Sequence, residues 1–158
     1  MSKKELIPQS PIDAIAGGYR AAQVLVTANR LGVFPALEEG TNTAESLAEF
    51  LGASPRGMRI LCDALVSLGL LEKENGVYRN SPLVYEYLLP GSPKSQVAIL
   101  RHTARLYEKW GKLYDAVKRG TKVPDEVLDP RLLNDERSFA LAMADIGRLS
   151  AKQMVQTL

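Results

Sequence analysis

Apolar and polar positions alternate with a helical period from near the start of the chain. Ile12, Ile15, Tyr19, Ala22 and Val26 are three or four residues apart, which is the spacing of one helical face. The pattern predicts one long first helix over PIDAIAGGYRAAQVLVTANRLGVF. Gly17 and Gly18 lie inside it, and each costs about 1 kcal/mol relative to Ala. Two explanations stay open, a tolerated weak point or the close approach of another helix, which small residues permit.

A short second helix follows in TAESLAEFLG. Thr43 has the side chain of an N-cap and predicts where this helix begins. Leu47, Phe50 and Leu51 are expected to point inward. Gly52 is expected to end the helix.

The next stretch predicts a third helix and a β-hairpin. Ser54 is a suitable N-cap, Pro55 suits the first helical position, and Gly69 suits a left-handed residue that stops the helix. Asn75-Gly76 separates LLEKE from VYRNS and is a strong two-residue turn signal. Helix, helix and hairpin in this order have the outline of a winged helix-turn-helix.

The second half of the chain is predicted to be helical. SPLVYEYLLPGSP reads as a short helix closed by prolines, and a long helix from Lys94 to Arg119 is expected to end at Gly120. A last helix is predicted from about Asp135 to the end. Two neighbouring apolar faces on the long helix imply burial on more than one side. One face has Leu100, Ala104, Tyr107, Trp110, Tyr114 and Val117, and its neighbour has Ile99, Leu106 and Leu113.

Composition and charge narrow the classes of protein. The chain has 158 residues, 46% of them hydrophobic and 24% charged, which is typical of a globular protein. It has one cysteine, no secretory signal and no apolar run long enough to cross a bilayer, so the expected location is the cytoplasm, with no membrane partner. The net charge is +2, but residues 41–80 carry −1 and residues 81–120 carry +4. The predicted winged segment is therefore not the basic part of the chain.

Few residues suggest chemistry. No glycine-rich phosphate loop is present, and the single histidine and single cysteine do not make a metal site, so no metal ligand is assigned. Cys62 lies among apolar neighbours and is expected to be a buried structural thiol. His102 is open to two interpretations, a surface or packing residue and a residue of a binding pocket.

DNA binding is the hypothesis that the winged outline raises first. Arg56 and Arg59, near the start of the third helix, support a DNA-binding transcriptional regulator. Against it, DNA affinity needs several cationic contacts, and the hairpin interleaves Lys73 and Arg79 with acids. The charge argues against nucleic acid as the partner, and the regulator remains the alternative function.

Five stretches in order resemble a known family. They are AAQVLVTANRLGVFPAL, TAESLAEFLGASPRGMRILCDALVSLGLL, GVYRNSPLVYEYLLPGSP, YEKWGKLYDAVKRG and FALAMAD. Together they cover roughly residues 10–158 and are similar to the N-terminal dimerisation domain of S-adenosylmethionine-dependent O-methyltransferases, the plant caffeic acid and flavonoid type with its bacterial relatives.

The resemblance implies a mainly α fold with a winged helix-turn-helix core, a small β-hairpin and long terminal dimerisation helices. It implies a flexible N-terminus over 1–10, a dimerisation helix and winged unit over 11–93, and substrate-side helices over 94–158. In the family, the methyl donor site and the catalytic base lie in a further Rossmann-like domain. We therefore expect no catalytic and no cofactor-binding residue in this chain, no methyl transfer by it alone, and S-adenosylmethionine in the full-length enzyme.

The resemblance also implies partners and substrate-binding residues. Two copies pair through the terminal helices, and the acceptor is a small aromatic or polyketide-type hydroxyl compound. Carried over by position, the residues that line the acceptor site are Tyr107, Trp110, Phe139 and Met143. At helical spacing the same four residues also fit a role in the core alone. A freestanding adaptor that pairs with a full-length methyltransferase is a third possibility.

Overall fold

The computed structural model describes residues 10–122, 124, 140, 143–144 and 147. The described part is mainly helical with one antiparallel hairpin, as the sequence predicts. No helix in it is long and apolar enough to cross a membrane. Its elements are α1 Pro11–Gly17, α2 Tyr19–Leu31, α3 Val33–Glu38, α4 Ala44–Leu51, α5 Pro55–Ser67, β1 Leu71–Glu74, β2 Val77–Asn80, α6 Pro82–Tyr87, α7 Val97–Gly111 and α8 Leu113–Arg119.

The first long helix is divided, so the prediction of one element is wrong. Gly18 separates α1 from α2 but keeps right-handed helical angles (φ −57°, ψ −29°), so the two helices follow each other almost directly. Gly32 has φ 83°, in the left-handed region that glycine enters at little cost, and there the chain turns into α3. The apolar spacing is the same on both sides of Gly18 and therefore did not reveal the break there.

The helix-turn-helix is fixed by its caps. Thr43 and Ser46 form a capping box, in which each backbone N–H donates to the other side-chain oxygen, at 3.0 and 3.1 Å. Ser54 Oγ accepts from the backbone N–H of Gly57 at 3.4 Å and caps α5. Gly52 (φ 64°) ends α4, and Gly69 (φ 71°) follows the end of α5. These predicted boundaries are confirmed.

One inward-pointing assignment on α4 is wrong. Leu47 is fully buried and Leu51 packs against the core, but Phe50 is 59% exposed. Phe50 lies three residues after Leu47, which places it on the edge of the buried face, and no element covers that edge within the described part of the chain.

The hairpin forms at the predicted turn. Asn75 and Gly76 both have positive φ, 50° and 82°, as a two-residue type I′ turn requires. β1 and β2 pair in the register Leu71 to Asn80. The backbone N–H of Tyr78 also donates to Asn42 O at 2.8 Å, and this bond joins the wing to the loop before α4.

The core lies between α2, α3, α4, α5, the hairpin and α6, with the first half of α7 packed on α2. Cys62 is fully buried there, as predicted, and burial raises the pKa of its thiol to about 11. Asn80 is buried at the end of β2 and donates to Phe34 O at 2.9 Å and to Glu38 Oε1 at 2.7 Å. Asn80 therefore joins the hairpin to α3.

The predicted helix from Lys94 to Arg119 is also two elements. α7 and α8 are separated at Lys112 (φ −98°, ψ 10°), and Gly120 (φ 71°) ends α8 as expected. The last predicted helix, from about Asp135, lies outside the described residues except at positions 140, 143, 144 and 147, which are helical.

Candidate functional site

Two helices expose their apolar faces. Neither α1 nor α8 has a buried residue. On α1, Ile12 is 71% and Ile15 79% exposed, whereas Val26, on the same predicted stripe, is buried in the core. Tyr114 and Val117 on α8 are each 72% exposed. Exposed apolar patches on a protein surface commonly belong to sites of interaction.

Tyr107 and Trp110 lie one turn apart on the exposed face of α7. Leu100 and Ala104 on the same helix are buried, and Asn29 Nδ2 on α2 donates to Val97 O at 3.3 Å, which fixes the start of α7. The two aromatic side chains thus stand on a helix held by the core. Tyr107 is 38% exposed and Trp110 67%, so the interpretation of both as core residues is not supported within the described chain.

The other two predicted site residues are on the following segment. Met143 is helical and 39% exposed. Phe139 lies outside the described residues. The pairing of Phe139 and Met143 with the α7 aromatics therefore stays a prediction.

Two hollows, which the sequence did not reveal, lie along α2. A groove of about 390 Å³ runs between α1–α2 and α5, and one of its walls consists of Ala14, Gly17, Gly18, Arg20, Ala21 and Val24. The opposite wall is formed by Ala64, Ser67 and Leu68. A smaller apolar hollow of about 240 Å³ lies beyond it, lined by Leu25, Leu70, Leu83, Tyr87, Leu88 and Gln96.

Acidic groups neutralise the outer face of the helix-turn-helix. Arg59 on α5 forms an exposed ion pair with Glu45 on α4. One turn further on, Asp63 accepts from Lys73 Nζ at 2.6 Å and from the Tyr78 hydroxyl at 2.8 Å. The hydrogen bond from Lys73 is the main reason that the pKa of Asp63 lies below its usual value. Part of the positive charge expected on a recognition helix is therefore already paired.

Metal chemistry has no support in the described residues. They contain no group of three or more His, Cys, Asp or Glu side chains that could hold a metal ion. His102 is half-buried on α7, and this position fits both a packing role and a place beside a pocket.

Comparison with known families gives one match. Residues 14–89 match the family model of the O-methyltransferase dimerisation domain. The matched range begins in α1 and ends just after α6. It includes every residue that lines the groove between α1–α2 and α5.

Individual relatives are longer than the chain. It is 36% identical to the acetylserotonin O-methyltransferase of Bos taurus, over 85% of this chain and 44% of that protein. It is 32% identical to the 3-hydroxy-5-methyl-1-naphthoate 3-O-methyltransferase of Streptomyces sahachiroi, over 91% of this chain and 43% of that protein. The crystal structure of human N-acetylserotonin methyltransferase in complex with SAM superposes with a TM-score of 0.72 and 34% identity, over 92% of this chain and 47% of that one. The chain spans less than half the length of each.

Proposed function

We propose that this chain pairs two copies and forms one wall of the acceptor site for methyl transfer to a small aromatic hydroxyl compound. The observation that carries the proposal is the match of residues 14–89 to the family model of the O-methyltransferase dimerisation domain. The proposed methyl donor is S-adenosylmethionine, bound by a further domain such as the relatives' additional length would provide. SAM in the structure of the human relative supports this choice of donor. The proposal also divides the chain into a flexible N-terminus over residues 1–10, a dimerisation helix with the winged unit over 11–93, and substrate-side helices over 94–158.

The exposed faces of α1 and α8 carry the proposal of self-association. Ile12, Ile15, Tyr114 and Val117 are each more than 70% exposed, and their burial between two copies would release free energy of about 25 cal/mol per Å². Sedimentation should show a homodimer at micromolar concentration. A chain that stays monomeric and soluble at about 100 µM would contradict the proposed self-association.

The aromatic face of α7 carries the proposal of acceptor binding. A flat, apolar acceptor suits Tyr107 and Trp110, because aromatic rings stack with their centres offset or edge to face. Phe139 and Met143 are proposed to complete the wall, and the flexible thioether of methionine adapts to the outline of a ligand. The aromatic acceptors in the names of the relatives support this class of compound.

The single tryptophan of the chain, Trp110, allows a direct test. Titration with 3-hydroxy-5-methyl-1-naphthoate should quench its fluorescence, and calorimetry should detect binding of acetylserotonin. Replacement of Tyr107 by Ala should weaken binding of both compounds at least threefold, about 0.7 kcal/mol, while Phe50→Ala, an exposed aromatic on another element, serves as the control. If Tyr107→Ala and Phe50→Ala bind the two compounds with equal affinity, the proposal that α7 forms a wall of the acceptor site is wrong.

A cytoplasmic location belongs to the same proposal. Its support is the cysteine content, because Cys62 is the only cysteine and is buried, whereas small secreted domains are commonly built on disulfides.

We also propose that the chain is not a DNA-binding regulator, the alternative function. The pairing of Arg59 with Glu45 and of Lys73 with Asp63 supports this proposal, because DNA affinity depends on cations that are free to neutralise phosphates. Binding of duplex DNA at low salt, with a steep salt dependence that is lost in Arg56→Glu and Arg59→Glu, would establish the regulator instead.

A further inference from the structure

Thr103 lies on the same side of α7 as the two aromatic residues of the proposed acceptor wall. At 3.6 residues per turn, Thr103, Tyr107 and Trp110 fall within roughly 60° of one another around the helix axis. Thr103 is half-buried, whereas Tyr107 and Trp110 are exposed. Its side chain therefore stands about 6 Å along the helix from Tyr107, at the end of the aromatic face that is closer to the core.

The hydroxyl of Thr103 already uses its hydrogen as a donor. Thr103 Oγ1 donates to the backbone carbonyl of Ile99, one turn earlier, at 2.9 Å. A threonine hydroxyl has one O–H group and two lone pairs, so this oxygen can only accept a further hydrogen bond. The Tyr107 hydroxyl can donate or accept, and the indole N–H of Trp110 only donates. Thr103 thus gives this face a neutral group whose remaining capacity is to accept.

The charged side chains of α7 lie on its other sides. Around the helix axis, each of them is at least roughly 100° away from Thr103, Tyr107 and Trp110. These charged residues are Arg101, Arg105, Glu108 and Lys109. A ligand on the aromatic face is therefore recognised by its ring and by neutral hydrogen bonds, in the usual manner of apolar sites with a few placed polar groups.

We infer that Thr103 is a specificity-determining residue of the acceptor wall and selects acceptors with an N–H or O–H donor besides the hydroxyl that receives the methyl group. This inference rests on the proposed function and narrows its class of acceptor. The hydroxyl to be methylated has to face the methyl donor on the further domain, so a second donor has to reach Thr103. A ring without one would cover the Thr103 oxygen and leave it without water or a partner, which costs binding free energy.

The experiment compares 5-hydroxyindole, which has a ring N–H, with 5-hydroxy-1-methylindole, which lacks it. Calorimetry should show that the wild type binds 5-hydroxyindole tighter by about threefold or more, because its N–H donates to Thr103. Thr103→Val keeps nearly the same shape without the hydroxyl and should bring the two affinities to within about 1.5-fold of each other. Thr103→Ala, a second variant without the hydroxyl, should do the same.

Two matched variants serve as controls, and circular dichroism checks the fold of each variant. Thr103→Ser retains the hydroxyl and should retain the preference for 5-hydroxyindole. Thr27→Val makes the same substitution at an exposed position of α2 and should also retain it. The extra methyl group enlarges the ligand equally for every variant, so the change in preference between variants measures the hydrogen bond.

The outcomes separate this inference from the function on which it rests. A preference that persists in Thr103→Val and Thr103→Ala would overturn the inference, because the methyl group's bulk or another residue would then cause it. Equal affinity of the wild type for both compounds would overturn it as well. In either case, binding that Tyr107→Ala weakens would leave the acceptor wall standing. A wild type that binds neither compound would overturn the acceptor wall and this inference together.

Discussion

Leu47 and Phe50 give the sharpest test of the fold, because the sequence pattern treats them alike and the structure does not. Both lie on α4, but Leu47 is fully buried and Phe50 is 59% exposed. Leu47→Ala removes three carbon atoms from the core, which is about 2.4 kcal/mol of transfer free energy at about 0.8 kcal/mol per methylene. The cavity left behind adds to this loss, so we expect the free energy of unfolding to fall by about 2–5 kcal/mol.

Phe50→Ala should cost less than about 1 kcal/mol. Most of the ring is already in water, so little apolar burial is lost, and alanine favours the helix by about half a kcal/mol over phenylalanine. The larger side chain is thus expected to have the smaller effect.

The assay is urea denaturation followed by the helical circular dichroism signal. All variants are compared at one chain concentration, because self-association adds to the apparent stability, and equal m-values show that the unfolding reaction has not changed. A loss on Phe50→Ala as large as on Leu47→Ala, at a concentration where the chain is monomeric, would refute the assignment of Phe50 to the surface. A loss below about 1 kcal/mol on Leu47→Ala would refute the packing of α4 on the core.

Three further predictions concern polar groups. Asn80→Ala removes both hydrogen bonds from the hairpin to α3 and should lower the free energy of unfolding by about 1–3 kcal/mol in the same urea assay, whereas no loss would contradict that link. Asp63 has a lowered pKa in the folded state. Its contribution to the free energy of unfolding is therefore complete above its unfolded pKa and is lost as the pH falls through the lower folded pKa. Asp63→Asn should therefore make stability fall less steeply on acidification, and an unchanged pH profile would contradict the tie to Lys73. Cys62, with a pKa of about 11 and no exposure, should react with iodoacetamide at pH 8 only after unfolding; rapid labelling of the native chain, followed by mass spectrometry, would show it to be accessible.

Local chemistry determined the helix-turn-helix and the hairpin. Thr43, Ser54, Gly69 and Asn75-Gly76 each satisfy a requirement of their own few residues, namely a free backbone N–H at a helix start or a positive φ at a turn. Such requirements do not depend on the rest of the chain. The boundaries read from these residues were therefore confirmed, and the mainly α fold with them.

Periodicity, in contrast, identifies the apolar face of a helix without saying what covers it. The stripe from Ile12 to Val26 is regular, yet only Val26 reaches the core, because α1 extends beyond the elements that pack on α2. The face of α7 and α8 likewise changes from buried at Leu100 to exposed at Val117. Only the tertiary arrangement separates the residues that hold the fold together from those left to bind a partner or an acceptor, because it fixes which elements are neighbours.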